Sequence, residues 1–271
     1  VSILDRGPSD GLYYEFDPPS GSVQTFVFVN ALTGSTGMWQ EQIGPALRKA
    51  GHGTLAYNFR GQDKSPFAPG TALTPGLIVD DLMALLASLS PPNPILVGLS
   101  IGGLFAAQAI RSGTQASGLV LINTLRKAGP RLDWINAAMV KAVATGGFPL
   151  LLDMMLPMLV NAERLATMRE AFLSDQPYAP MDPSHGHFNL MDNAGAADWD
   201  FPYESLTLPV LIMTGLKDRV FYDADDVAEL TARVGDVRSL ELPDAGHLIP
   251  AERPERSVDA LIGFAAELAD R

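Results

Sequence analysis

A serine flanked by glycines, Gly98-Leu99-Ser100-Ile101-Gly102, stands directly behind the apolar run Ile95-Leu96-Val97 and directly before a helix-like pattern. A buried strand, a sharp turn and a helix would put Ser100 at the tip of the turn. Such a corner strains the backbone of its central residue. Strand and helix can close on each other there only if the flanking positions lack side chains. The start of the helix also aims backbone N–H groups at whatever carbonyl the serine attacks. A plain Gly/Ser turn fits the same five residues, so the rest of the chain has to supply the chemistry.

A serine hydroxyl is a weak nucleophile and needs a base within hydrogen-bond reach. The chain has four histidines, His52, His185, His187 and His247. The base in turn needs a group that sets its tautomer and stabilises the imidazolium. Which of these residues can meet depends on the elements that carry them. The pattern predicts strands over 23–29, 54–57, 95–98, 119–122, 210–214 and 239–242. Helices are predicted over 38–50, 78–89, 102–111, 224–234 and 254–269. Short strands alternating with helices imply a mostly parallel sheet covered on both faces, with its site at the carboxyl ends of the strands.

On that edge His247 follows the last strand, whereas His52 precedes a strand and His185 and His187 fall in a helical insertion. Asp218 follows strand 210–214. The end of strand 119–122 offers Asn123 and Thr124 and no carboxylate. Asp223, Asp225 and Asp226 suit the first turn of the next helix, where acids favour the dipole, and Asp80 and Asp81 suit the start of helix 78–89 for the same reason. Ser100, Asp218 and His247 are therefore the candidate catalytic residues.

Composition bounds the partners. The chain has 271 residues, a net charge of −12 and no cysteine, with a pI of about 4.6. The acidic balance argues against nucleic acid, whose phosphates need Lys and Arg, and against an anionic membrane surface. Disulfides, thiolate catalysis and a cysteine zinc site are excluded. The first ten residues show no basic region followed by an apolar one, and the apolar stretches are broken by Pro, Gly or charge short of a spanning helix of about 20 residues. A soluble, cytoplasmic protein with a small-molecule substrate is expected; no statement about oligomeric state follows. His185-Gly186-His187 lacks a third ligand at useful spacing, so no metal and no cofactor are expected.

The order Ser100, Asp218, His247 is that of the α/β-hydrolase triad, unlike the orders of chymotrypsin and subtilisin. The chain resembles an α/β-hydrolase along nearly its whole length. The matching pieces are the loop at Asn30, the Asn58-Phe59-Arg60-Gly61-Gln62-Asp63-Lys64-Ser65 loop, the elbow, Gly118 to Thr124, the Asp218 turn, and Gly246-His247 with Glu252-Arg253-Pro254-Glu255. Two departures stand out. Asn30-Ala31 replaces the common His-Gly, and Asn58 and Asp63 replace Asp and Gly of the second loop. Asn30-Ala31-Leu32 through Met38-Trp39 resembles the corresponding loop of the 3-oxoadipate enol-lactonases, as does the elbow. The same loop also resembles that of homoserine acetyltransferases, with Asn in place of His.

The resemblance implies an α/β-hydrolase core over 1–124 and 206–271 with a helical lid over 125–205 inserted between two strands. It implies an oxyanion hole from the backbone N–H groups of Leu32 and Ile101. The insertion is rich in Met, which suits an adaptable apolar pocket or the lid's own core. Asn30, Trp134, Arg126 and Arg131 are candidate substrate-binding residues; Arg126, Lys127 and Arg131 could hold a carboxylate or be solvated. The apolar lid favours neutral esters or lactones. The expected activity is hydrolysis of a small carboxylic ester or lactone through an acyl-serine. C–C bond hydrolysis or acyl transfer on the same fold is the enzymic alternative, and a non-catalytic ligand-binding protein is the alternative of another class.

Overall fold

The computed structural model describes residues 2–21 and 24–271. Val23, at the start of the predicted first strand, lies outside the described residues. Eight strands form one sheet: β1 (Ser2–Gly7), β2 (Asp10–Asp17), β3 (Thr25–Val29), β4 (Gly53–Tyr57), β5 (Pro94–Leu99), β6 (Gly118–Ile122), β7 (Val210–Gly215) and β8 (Val237–Leu242). Their spatial order is β1-β2-β4-β3-β5-β6-β7-β8. All pairs from β4 to β8 are parallel. The sequence pattern left the first two strands unassigned. They form an antiparallel hairpin that joins β4 in antiparallel register, and the edge strand β1 is largely exposed, so it lacks the apolar run that marks the central strands.

Successive side chains of a strand face opposite sides of the sheet. Phe26 and Phe28 of β3 enter one apolar cluster with Val97 and Trp39, while Val27 and Val29 enter the other with Leu96 and Phe105. Strands buried on both faces read as continuous apolar runs for that reason. The helices that cover the sheet are α1 (Thr36–Gln42), α2 (Gly44–Lys49), α3 (Pro75–Leu89), α4 (Ile101–Arg111), α5 (Pro130–Leu159), α6 (Ala162–Met168), α7 (Gly186–Ala194), α8 (Ala224–Ala232), α9 (Ile249–Glu252) and α10 (Pro254–Ala269). The single helix expected over 38–50 is two, because Pro45 at the start of α2 restarts the helix after Ile43.

Helices α5, α6 and α7 occupy the segment between β6 and β7, and among the described residues no strand falls there. By length and mean hydropathy α5 alone is long and apolar enough to cross a membrane among the described residues, contrary to the sequence expectation. Gly147, at φ 68° and ψ −165°, breaks it into 130–146 and 148–159. Its Met residues divide between roles. Met139, Met155 and Met181 pack with Met191 in a small core of the insertion, while Met154 and Met158 are exposed.

Asp81 also departs from its expected role. It lies beyond the first turn of α3 and is fully buried. Its carboxylate takes two hydrogen bonds from Arg60, at 2.6 and 2.9 Å, and one from Arg6 at 3.0 Å. It anchors the loop after β4 and the N-terminal hairpin.

Candidate active site

Ser100 sits between β5 and α4 at φ 57° and ψ −127°, a region that non-glycine residues rarely occupy and that stores strain. The turn is closed tightly enough to require its glycines. A Cβ on Gly98 would lie 2.3 Å from Gly103 Cα, and one on Gly102 would lie 2.4 Å from the carbonyl oxygens of Val29 and Asn30. The Ser100 N–H donates to Ile122 O at the end of β6 (2.8 Å), which ties the corner to the neighbouring strand.

The loop after β7 carries Asp218 and the loop after β8 carries His247. Nδ1 of His247 lies 2.6 Å from Oδ2 of Asp218, and both side chains are buried. The other carboxylate oxygen accepts from the N–H groups of Val220 (2.9 Å) and Phe221 (3.0 Å). Burial pushes the Asp218 carboxyl up, but the charge and hydrogen bond of His247 and the two N–H donors outweigh it and hold the group below its ordinary value. Asp218 is thus an anion aimed at an imidazole. Asp223 caps α8, accepting from Asp225 N and Asp226 N, as the sequence reading had it.

Two residues that sequence reasoning passed over fix these loops. Asn123, at φ 47°, donates to Gly246 O (2.9 Å) and His247 O (2.8 Å) and accepts from Gly215 N (2.8 Å). Buried Glu252 accepts from Asn161 N, Gly246 N and Leu248 N at 2.7–2.9 Å. The His247 N–H reaches Leu159 O at 2.6 Å, so the end of the insertion is hydrogen-bonded to this loop. The signal for Glu252 was its place five residues after His247; nothing local marked Asn123.

Asn30 is a correction. It is fully buried and does not reach the cavity as a ligand would. Its amide donates to Tyr57 O (2.9 Å) and Gln62 Oε1 (3.0 Å) and accepts from Trp39 Nε1 (2.7 Å). Gln62 Nε2 donates in turn to the carbonyls of Ala31 (2.8 Å) and Leu32 (3.0 Å). This network positions the turn that carries the Leu32 N–H. Ile101, the first residue of α4, has no intrahelical partner for its N–H. Leu32 and Ile101 both border the cavity that holds Ser100.

That cavity has a volume of about 120 Å³ and is lined by Ser100, His247, Arg126, Trp199 and Phe221 on one side and by Met139, Leu151, Met155 and Leu159 of α5 on the other. Trp134 and Arg131 do not line it, which corrects two further assignments. They border a separate groove of about 520 Å³ that shares Met139, Leu151 and Met155 with the cavity wall. Trp134 is 79% exposed, and Arg131 donates to Val220 O (2.6 Å). Both lie on the outer face of α5, which the sequence could not distinguish from the inner one. Lys127 pairs at the surface with Glu229 and Asp226.

Arg126 is the one member of the basic group inside. Its Nη2 donates to Ser100 Oγ (3.0 Å) and Asn123 O (2.8 Å), and its Nε to Thr124 O (3.3 Å). The guanidinium lies 4.7 Å from the Trp199 ring and 4.3 Å from the Phe221 ring. Burial pushes it down to about 10, against the pull of the Asp218 charge, so it remains a cation at neutral pH. Among the described residues Ser100 Oγ makes no hydrogen bond to His247. His185 caps α7 through Nδ1, and no group of three or more His, Cys, Asp or Glu is placed to hold a metal among the described residues.

A family model described as "alpha/beta hydrolase fold" matches residues 24–254. The candidate carbamate hydrolase RutD of Variovorax paradoxus is 33% identical over 117 residues, a match spanning 43% of this chain and 43% of RutD. The 3-oxoadipate enol-lactonase 2 of Acinetobacter baylyi is 25% identical over 238 residues, 84% of each chain. Among solved structures, a thermophilic esterase from Thermogutta terrifontis superposes with a TM-score of 0.78 at 22% identity, over 96% of this chain and 94% of the esterase.

Proposed function

The chain belongs to the α/β-hydrolase family, and from that premise we propose that it is a serine hydrolase of small carboxylic esters or lactones. The observation that carries this reading is the His247–Asp218 pair at 2.6 Å, with His247 bordering one small cavity together with a serine on a strained, glycine-flanked corner. The esterase and enol-lactonase among its relatives support the bond type.

In this reading Ser100 Oγ attacks the carbonyl carbon and its proton passes to Nε2 of His247. Asp218 holds the Nδ1–H and stabilises the imidazolium. The Leu32 and Ile101 N–H groups receive the oxyanion, where one donor is worth about 3 kcal/mol in the transition state. Collapse breaks the C–O bond, and His247 returns the proton to the leaving alkoxide, which in a lactone stays attached to the acyl chain. Water then attacks the acyl carbon, giving a proton to His247; the second collapse releases the acid and restores the Ser100 hydroxyl. Every step uses groups of this chain, water and substrate. Residues 125–205 act as the lid over a core of 1–124 and 206–271. The acidic surface suits a cytoplasmic enzyme acting on small molecules.

The test has two parts. A fluorophosphonate probe should label Ser100 and no other serine. A panel of esters, lactones and ring-cleavage diketones, read by product mass, should show cleavage of the first two classes. Absence of labelling in folded protein overturns the reading, and cleavage of diketones alone replaces it with C–C hydrolysis.

A further inference from the structure

Among the described residues two arginines are buried, Arg60 and Arg126. Arg60 has its counter-ions, Asp81 and Asp10. Arg126 has none: among the described residues no carboxylate lies within ion-pair distance of it, and its partners are two backbone carbonyls, the Ser100 hydroxyl and two aromatic faces. A buried cation without an anion is costly unless something supplies the missing charge. The Asp218 charge acts on it from beyond ion-pair distance, and the Asp218 oxygens are taken up by His247 and two backbone N–H groups.

We propose that Arg126 is the binding site for a carboxylate carried by the substrate, one or two carbons from the scissile carbonyl. This rests on the hydrolase reading above and narrows its substrate class. Three observations set the terms. The Nη2 donor lies 3.0 Å from the oxygen that attacks, so an anion held by this guanidinium is necessarily close to the reacting carbon. The Trp199 and Phe221 rings cover the guanidinium faces, and a planar carboxylate is recognised along the remaining edge. The α5 residues in the cavity lining, Met139, Leu151 and Met155, are apolar. The substrate is therefore a small ester or lactone with one short carboxylate arm and an otherwise apolar body. The overall charge of −12 repels such an anion at long range, so selection rests on local cations, of which Arg126 is the one bonded to Ser100 Oγ. On this proposal Arg126, at the start of the insertion, favours anionic substrates over the neutral ones that the insertion's composition suggested.

The experiment uses monoethyl succinate, with the carboxylate on the acyl side, butyryl glycolate, with it on the alcohol side, and ethyl butyrate as the neutral counterpart. Binding to intact Ser100→Ala protein is measured by calorimetry, and kcat/KM on the unmutated enzyme. At least one of the two acids should bind ten- to a hundredfold more tightly than ethyl butyrate, the range of a hydrogen bond to a charged group, and kcat/KM should follow. Arg126→Gln in the same background should remove the difference, and Arg126→Lys should reduce it. If neither acid binds more tightly than ethyl butyrate, the proposal is overturned without any Arg126 variant. It is equally overturned if the preference survives both substitutions in folded protein; if only Arg126→Lys folds, an undiminished preference in that variant suffices. Tight, Arg126-dependent binding with no turnover of any ester by the unmutated enzyme would instead retain the carboxylate site and remove the hydrolase reading.

Discussion

Nη2 of Arg126 donates to Oγ of Ser100 at 3.0 Å, while His247 is bonded through Nδ1 to Asp218 and makes no hydrogen bond to Ser100. The serine hydroxyl is thus held by a cation, with the imidazole bordering the same cavity. A positive charge beside Oγ favours the alkoxide that forms as the proton leaves.

Ser100→Ala should lower turnover of any ester substrate by on the order of 10⁶, the loss seen when a triad serine is removed. The fold should persist, because the backbone bond from residue 100 to Ile122 O does not involve the side chain. Circular dichroism and steady-state kinetics on the same preparation check this. Near-normal turnover in the folded variant would move the nucleophile elsewhere.

Asp218→Asn should lower kcat by about 10⁴ while preserving the fold, since an amide can present the wrong group to Nδ1. Asp223→Asn should leave kcat nearly unchanged, as Asn also caps helices well; Asp223 serves α8 rather than His247. Rate measurements on the two variants separate them, and the reverse ranking would move the acid to the start of α8.

The placement of these two residues, as distinct from their roles, is legible in the sequence. The elbow and Asp218 each follow a short apolar run, and His247 follows the alternating strand β8, so their strand ends, and hence their common edge, are legible from local pattern. Arg126 is not legible in that way. Its place in the cavity depends on Trp199 and Phe221, which arrive from distant parts of the chain. Trp134 and Asn30 failed for a related reason: apolar or polar type does not say which face of α5, or which side of a loop, a residue takes. Asp81 reads as a favourable helix charge until the fold brings Arg60 and Arg6 against it.

Gln62 is the least conspicuous residue on which the rate should depend. It holds the Ala31 and Leu32 carbonyls through Nε2 and receives Asn30 and Phe59 N–H donors at Oε1, the latter two at 3.0 Å. Gln62→Leu removes all four bonds at a buried position. Stability should fall by about 1–3 kcal/mol for the groups left unpaired. In the protein that remains folded, kcat should fall by about 10–100-fold, less than the full loss of an oxyanion donor, because the Leu32 N–H is displaced rather than deleted. Urea titration and kcat measured below the unfolding transition check both parts. An unchanged kcat would mean that the Leu32 turn is not held by this network during catalysis.

His187 supplies a pH dependence of stability that is independent of catalysis. It packs edge-on against Phe148, with ring centroids 4.8 Å apart, and its Nδ1 is buried without a partner. Burial first, and the neighbouring His185 charge second, push it down to about 4, with Asp63 opposing. In the unfolded chain the value returns to about 6.5. Above that pH both states carry a neutral ring and no stability is lost. Below it the unfolded chain takes up a proton that the folded protein refuses, so stability falls with pH and the loss is complete near the folded value. The linkage amounts to about 2 kcal/mol by pH 5, and on the order of 3 kcal/mol at most. His187→Leu keeps an apolar contact with Phe148 and abolishes the titration. The melting temperature of the variant should therefore drop less between pH 7 and pH 5 than that of the unmutated protein, by several degrees. Parallel losses in the two proteins over that interval would show that the folded protein does not hold His187 neutral and that acid sensitivity originates elsewhere.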